Sequence, residues 1–146
     1  MVRQPGSINC FVCGRDNPIG LKVQFYQKGK QVIARFTPGP EHQGYPDRMH
    51  GGIAYTLLDE TVGRAGFIYG YWTFTARLDI KHRKPIPIGQ EITVVGEMIR
   101  DRGRAIEAKG EILLADGSVA VEGSGLFFKL KPDELKRLEQ ELGQLV

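Results

Sequence analysis

At 146 residues the chain is the size of one ordinary domain, long enough to bury a core without disulfides or metals. Hydrophobic residues at 41% and charged residues at 25% exclude a disordered chain, and no apolar run approaches the ~18 residues that a membrane-spanning helix requires. A net charge of +3 is too mild to point to nucleic acid, although it suits a small anionic ligand.

The amino end, MVRQPGSINCFVCG, has neither an apolar segment nor a cleavage pattern for export, so the expectation is a cytoplasmic protein. Cys10 and Cys13 are the only cysteines and form a single CxxC. A structural zinc site normally needs a second such pair or added histidines, so this one is half missing. Completion by a second chain is one reading, and a redox pair lacking the βαβ context of thioredoxin-like chemistry is another. The plain reading is two small, part-buried residues of a turn, and no metal is assigned.

NPIG marks a turn before a strand over residues 21–27, and KGK separates it from a second strand over 31–37 as a hairpin would. Residues 38–48, dense in Pro and Gly, form a loop leading into a helix over 51–69. Four strands follow, over 73–84, 90–100, 104–114 and 118–130. Pro132 opens a short charged helix over 132–143, its early Asp133 and Glu134 suited to the positive helix end. The late turns are too short for parallel crossovers, which makes the sheet mainly antiparallel. Glycines interrupt ITVVGEM, IEAKGEI and AVEGSGLF, and a glycine inside a strand marks curvature or the close approach of other backbone. The expected fold is α+β: one domain over 1–146, with a curved sheet of five to six strands wrapped around a long central helix.

At 100° per residue, Ala54, Leu58, Val62, Ala65 and Tyr69 form the buried stripe of that helix, widened by Ile53, Leu57 and Ile68. Asp59 and Glu60 lie off it. Glu60 has Arg64 four residues on, the spacing of a solvated surface ion pair. Asp59 has Thr56, Gly63 and Gly66 as helical neighbours, so its carboxylate is bordered by small groups. The two glycines read either as close packing or as a channel past Asp59. Gly51 and Gly52 open the helix with uncovered N–H groups, which read either as a loop needing glycine or as donors to an oxygen anion.

The stretch HQGYPDRMHGGIAYTLLDE followed by TARLDIKHRKPIPIG resembles the hotdog-fold thioesterase superfamily, nearest its phenylacetate-type and acyl-CoA thioesterases. The likeness covers most of the chain: His-Gly-Gly at the start of the helix, an acid nine positions after the His, and a strand ending in Pro-x-Pro-x-Gly. The resemblance implies hydrolysis of an acyl-CoA without a cofactor. Gly51 N–H would polarise the thioester carbonyl, Asp59 would act as base or nucleophile, and Thr75 would help to place water. The family's Asn or Gln seven residues before the polarising glycine falls on Gly44 here, with Gln43 one residue early as the nearest substitute. His50 and Gly52 are read as structural at the site, and His42 and His82 as ordinary polar residues.

Eight residues separate Gly51 from Asp59, ~12 Å along a helix axis, too far for one thioester carbon to touch both. If both act on one carbonyl they come from two chains, so a homodimer with shared sites, or a dimer of dimers, is expected. Lys81, Arg83 and Lys84 are the candidate partners of the coenzyme A phosphates, with Arg100, Arg102 and Arg104 as a second cluster. Strand alternation sets Phe74, Ala76, Leu78 and Ile80 against Thr75, Arg77, Asp79 and Lys81. A noncatalytic acyl-CoA sensor of the same fold and a hotdog dehydratase or hydratase stand as alternatives.

Overall fold

A computed structural model describes residues 1–141, and Leu142 and Gly143 of the predicted final helix lie outside the described residues. The chain runs through β1 (Val2–Arg3), β2 (Phe25–Lys28), β3 (Gln31–Phe36), α1 (Gly51–Gly63), β4 (Thr73–His82), β5 (Ile92–Asp101), β6 (Ala105–Leu113), β7 (Val119–Lys129) and α2 (Pro132–Glu141). The strands make one sheet in the order β1-β2-β3-β5-β6-β7-β4, antiparallel at every pairing. This is the hotdog architecture, with seven strands where five to six were expected. The addition is β1, whose two residues are too few to carry a periodic signal.

The first predicted strand is shorter than its sequence implies. Leu21 and Val23 donate their N–H groups to Phe11 O and Val12 O, both at 2.9 Å, so this stretch pairs with the cysteine turn before β2 begins. Gly29, at φ 60, supplies the left-handed residue of the tight β2–β3 hairpin.

The central helix is also shorter. It is α-helical only to Gly63, and residues Arg64–Tyr69 continue as a 3-10 helix that Gly70 closes at φ 81. Three residues per turn instead of 3.6 shift the phase of the tail. Ala54, Leu57, Leu58, Val62 and Ala65 are buried as their spacing requires, but Tyr69, expected on the same stripe, is 40% exposed. Gly63 and Gly66 are packing positions: a Cβ at Gly63 would lie 3.3 Å from the Phe127 ring, and one at Gly66 3.2 Å from Ile106 Cδ1.

Gly96, Gly110 and Gly123 are register partners across β5, β6 and β7, and this row is where α1 lies on the sheet. A Cβ at Gly96 would stand 2.8 Å from Thr61 O, and one at Gly110 would stand 2.6 Å from Val62 Cγ2 and 2.5 Å from Val95 O. The strand glycines therefore serve the close approach of helix and sheet backbone. Leu57, Leu58 and Val62 then pack among Val94, Ile106, Ile112, Val121 and Phe127 in a single core. Gly110→Ala is expected to cost about 1–3 kcal/mol through overpacking against backbone that cannot yield, read as a lower denaturation midpoint with unchanged slope.

Candidate active site

The start of α1 is organised by His50. Its backbone is extended (φ −59, ψ 136), its Nδ1 accepts from Gly52 N at 2.8 Å, and its own N–H donates to His42 O at 2.8 Å. Of the two glycine N–H groups expected to be free, the cap takes that of Gly52. Gly51 N–H, first in the helix, has no acceptor among the described residues. A Cβ at Gly51 would come 3.3 Å from His82 Cε1, so a bare backbone sits under an imidazole.

Gln43, His50, Gly51, His82, Arg83 and Lys84 line one cleft of about 860 Å³, together with Arg48 and Ile86. His82 was read as an ordinary polar residue, yet its position in the strand is in phase with Leu78 and Ile80, which face the helix. That parity was the available signal. Gln43 Oε1 accepts from Asp47 N at 3.0 Å, which leaves its amide NH2 as a donor. Arg83 pairs with Glu122 at 2.6 Å, and this hydrogen bond raises the pKa of Arg83 and lowers that of Glu122. Lys81 is not in this cleft but lies on a separate trough with Lys109 and Glu122. Arg100 and Arg102 both pair with Glu107, at 3.0 and 2.8 Å.

Asp59 lies in a second cleft, of about 390 Å³. Thr75 Oγ1 donates to Asp59 Oδ1 at 2.6 Å. The strict alternation predicted for β4 would have turned Thr75 away from the helix with Lys81. A register shift against β7 between Thr75 and Arg77 makes Ala76 an extra residue, so the strand changes parity. Thr73 and Thr75 therefore share the helix side with Leu78, and Thr73 Oγ1 reaches Gly63 O at 3.4 Å.

Glu60 is not the solvated surface residue expected. Its side chain is 25% exposed and that of Arg64 only 6%. Arg64 donates from Nη2 to Glu60 Oε1 at 3.0 Å, from Nη1 to Pro5 O at 2.8 Å and from Nη2 to Cys13 Sγ at 3.3 Å, with its guanidinium 4.2 Å from the Phe25 ring centroid. Burial pushes the Glu60 carboxyl up, and Arg64 opposes that shift. The Cys10 thiol is brought down to about 5, chiefly by its hydrogen bond with Cys13, against burial and with help from the Val12 and Cys13 amides. The same shared bond and burial push Cys13 up. The i,i+4 spacing found the Glu60–Arg64 partnership but not its burial, because Pro5 and Cys13 join it from far away in the chain. Arg64→Leu is expected to destabilise the protein by about 3–5 kcal/mol, since Glu60 is left without its partner in a mostly desolvated place, and Glu60→Gln by less; thermal and chemical denaturation of the two variants measure this.

A sheet cupped around a helix, with a bare N–H at the helix start and a hydroxyl-held carboxylate on the helix flank, defines a hotdog protein with two clefts. Residues 47–121, which hold α1 and β4 to β6, match the family model of the thioesterase superfamily, and the chain belongs to that family. It is similar to acyl-coenzyme A thioesterase THEM4 of Rattus norvegicus, 33% identical over 114 residues, which cover 77% of this chain and 49% of that protein. THEM4 of Xenopus laevis is 31% identical over 110 residues, with 74% and 50% covered. The chain thus spans about half the length of the curated relatives it matches. A solved thioesterase superfamily protein superposes with a TM-score of 0.77 at 32% identity, covering 81% of this chain and 62% of that one. A hypothetical thioesterase of Streptococcus pneumoniae solved with coenzyme A has a TM-score of 0.69 at 18% identity, covering 73% and 87%, a likeness of fold.

Proposed function

We propose that the protein hydrolyses the thioester bond of an acyl-CoA, as a homodimer in which Asp59 of one subunit works with Gly51 of the partner subunit. The observation that carries this reading is the separation of the two groups. The unpaired Gly51 N–H and the Asp59–Thr75 pair occupy different clefts of one chain. A thioester carbonyl can meet both only where two chains bring opposite ends of α1 together. The strand β4 supports that assembly: it ends the sheet, carries ten residues, and has Phe74 49% exposed beside Phe128. An edge of that length is a template for pairing with a second copy about a two-fold axis.

In this site Gly51 N–H, with the positive end of the helix dipole behind it, holds the oxygen on which negative charge develops. Asp59, oriented through Oδ1 by Thr75, takes the proton of an attacking water or attacks the carbonyl carbon itself. The Gln43 amide NH2 would bind a water or the substrate's carbonyl side. Arg48 and Lys84 give the Gly51 cleft its positive charge and, with Arg83, which Glu122 holds at its rim, are proposed to receive the phosphates of coenzyme A. Lys81 is not included, because it lies on the trough outside this cleft. The names of the curated relatives and the coenzyme A complex of a protein of the same fold support the substrate class.

Thiol release from short, medium, aromatic and long acyl-CoAs tests the activity. Asp59→Ala is expected to lower turnover by about 10²–10⁴-fold with the dimer intact. Gly51→Pro removes the N–H at a position where helices accept proline, after a His50 backbone already extended as a residue before proline must be, and its Cβ must push the His82 ring slightly aside. It is expected to cost about 10²–10³-fold. Mixed dimers of these two inactive variants retain one intact site and should regain activity. Failure of the mixture to recover would disprove the shared site, and tight acyl-CoA binding without hydrolysis of any substrate would make the protein a sensor.

A further inference from the structure

Cys10, Cys13 and Glu60 take no part in the reaction above, yet the fold gathers them. The Sγ atoms of both cysteines and a carboxylate oxygen of Glu60 all lie within 4.8 Å of one another. Two backbone donors converge on one of these sulfurs: Val12 N–H at 3.3 Å and Cys13 N–H at 3.5 Å from Cys10 Sγ. Gly14 N donates to Cys10 O at 2.9 Å to close the turn, and a Cβ at Gly14 would fall 2.4 Å from Cys10 N, so only glycine closes it. Such a CxxC turn presents two sulfurs as adjacent corners of a tetrahedral site. With bonds of ~2.3 Å those corners stand ~3.8 Å apart, within reach of small side-chain rotations from the present arrangement.

Charge points the same way. With a cation bound and both thiol protons displaced, two thiolates and a carboxylate would carry three negative charges, of which Arg64, fixed by Pro5 O and the Phe25 ring, offsets one. The remainder in this half-buried place is what a divalent cation balances, and sulfur donors select zinc over magnesium or calcium.

We propose that Cys10, Cys13 and Glu60 bind a zinc ion, with three protein ligands and a fourth position open to the cleft that also holds Asp59. The ion would tie the amino-terminal turn to α1 one residue from Asp59, and its binding displaces the thiol protons. The sequence showed half a site because its third ligand lies 47 positions beyond Cys13.

The test uses the full chain, stripped by chelator and fully reduced without oxygen, then titrated with Co²⁺ and, in competition, with Zn²⁺. The expected result is one equivalent bound per chain, with thiolate-to-cobalt charge-transfer absorption in the near ultraviolet and the intense visible bands of a tetrahedral ion. Cys10→Ser and Cys13→Ser should lose the charge-transfer band, and Glu60→Gln should weaken binding by about 10- to 100-fold, the fold of each being checked by circular dichroism. A reduced wild-type protein without that band overturns the proposal, whether or not the variants fold. So does Glu60→Gln binding as tightly as wild type, or a pair that forms a disulfide in air and takes up no metal when reduced.

Discussion

The approach of α1 to the sheet across Gly96, Gly110 and Gly123 is the constraint on which the rest depends. Register stacks these three residues side by side, and at Gly96 and Gly110 a methyl group would meet helix backbone or side chain well inside contact distance. With the helix seated so low, Leu57, Leu58 and Val62 reach the sheet and close the core. The same seating leaves the two ends of the helix to different neighbours. Its start meets the end of β4 and the loop after it, where His82, Arg83 and Lys84 stand around Gly51. Its flank, two turns on, meets the first residues of β4, where Thr75 reaches Asp59.

The β-bulge at Ala76 lets one strand serve both ends. Without it, Thr75 would point away from the helix if Leu78 points toward it. With it, Thr75 and Leu78 share a side, and the long strand contributes a hydroxyl at one end, an apolar residue in its middle and an imidazole at the other. A bulge next to a functional group that it re-aims is a recurrent use of this irregularity. The cost to the ladder is one unpaired residue.

Arg64 does for the other side of the helix what the glycines do for its underside. Its guanidinium reaches Glu60, Pro5 O and Cys13 Sγ while lying against the rings of Phe25 and Phe67. One buried cation thereby joins β2, the amino-terminal turn and the end of α1. The helix changes to 3-10 geometry at this residue, where Arg64 N–H donates to Glu60 O and Val62 O. The network also explains why adjacent acids differ: Asp59 looks toward β4 and a hydroxyl, Glu60 toward a cation and two cysteines.

Much of this was legible in the residue order. The choice of Gly51 over Gly52 came from the family resemblance, whereas the strand and helix succession, the antiparallel sheet, the core stripe from Ala54 to Ala65, the glycine amides at the helix start and the pairing of Glu60 with Arg64 follow from period, turn chemistry and spacing. These are local properties, set by steric limits within a few residues of each position. What the tertiary structure alone decided has a common cause, the convergence of segments far apart in the chain. The side to which Thr75 points depends on a bulge set by pairing with β7, and the burial of Glu60 depends on Pro5, Cys13 and Phe25. The place of His82 over Gly51 depends on how low the helix sits. Such outcomes arise from packing free energies that no local pattern encodes.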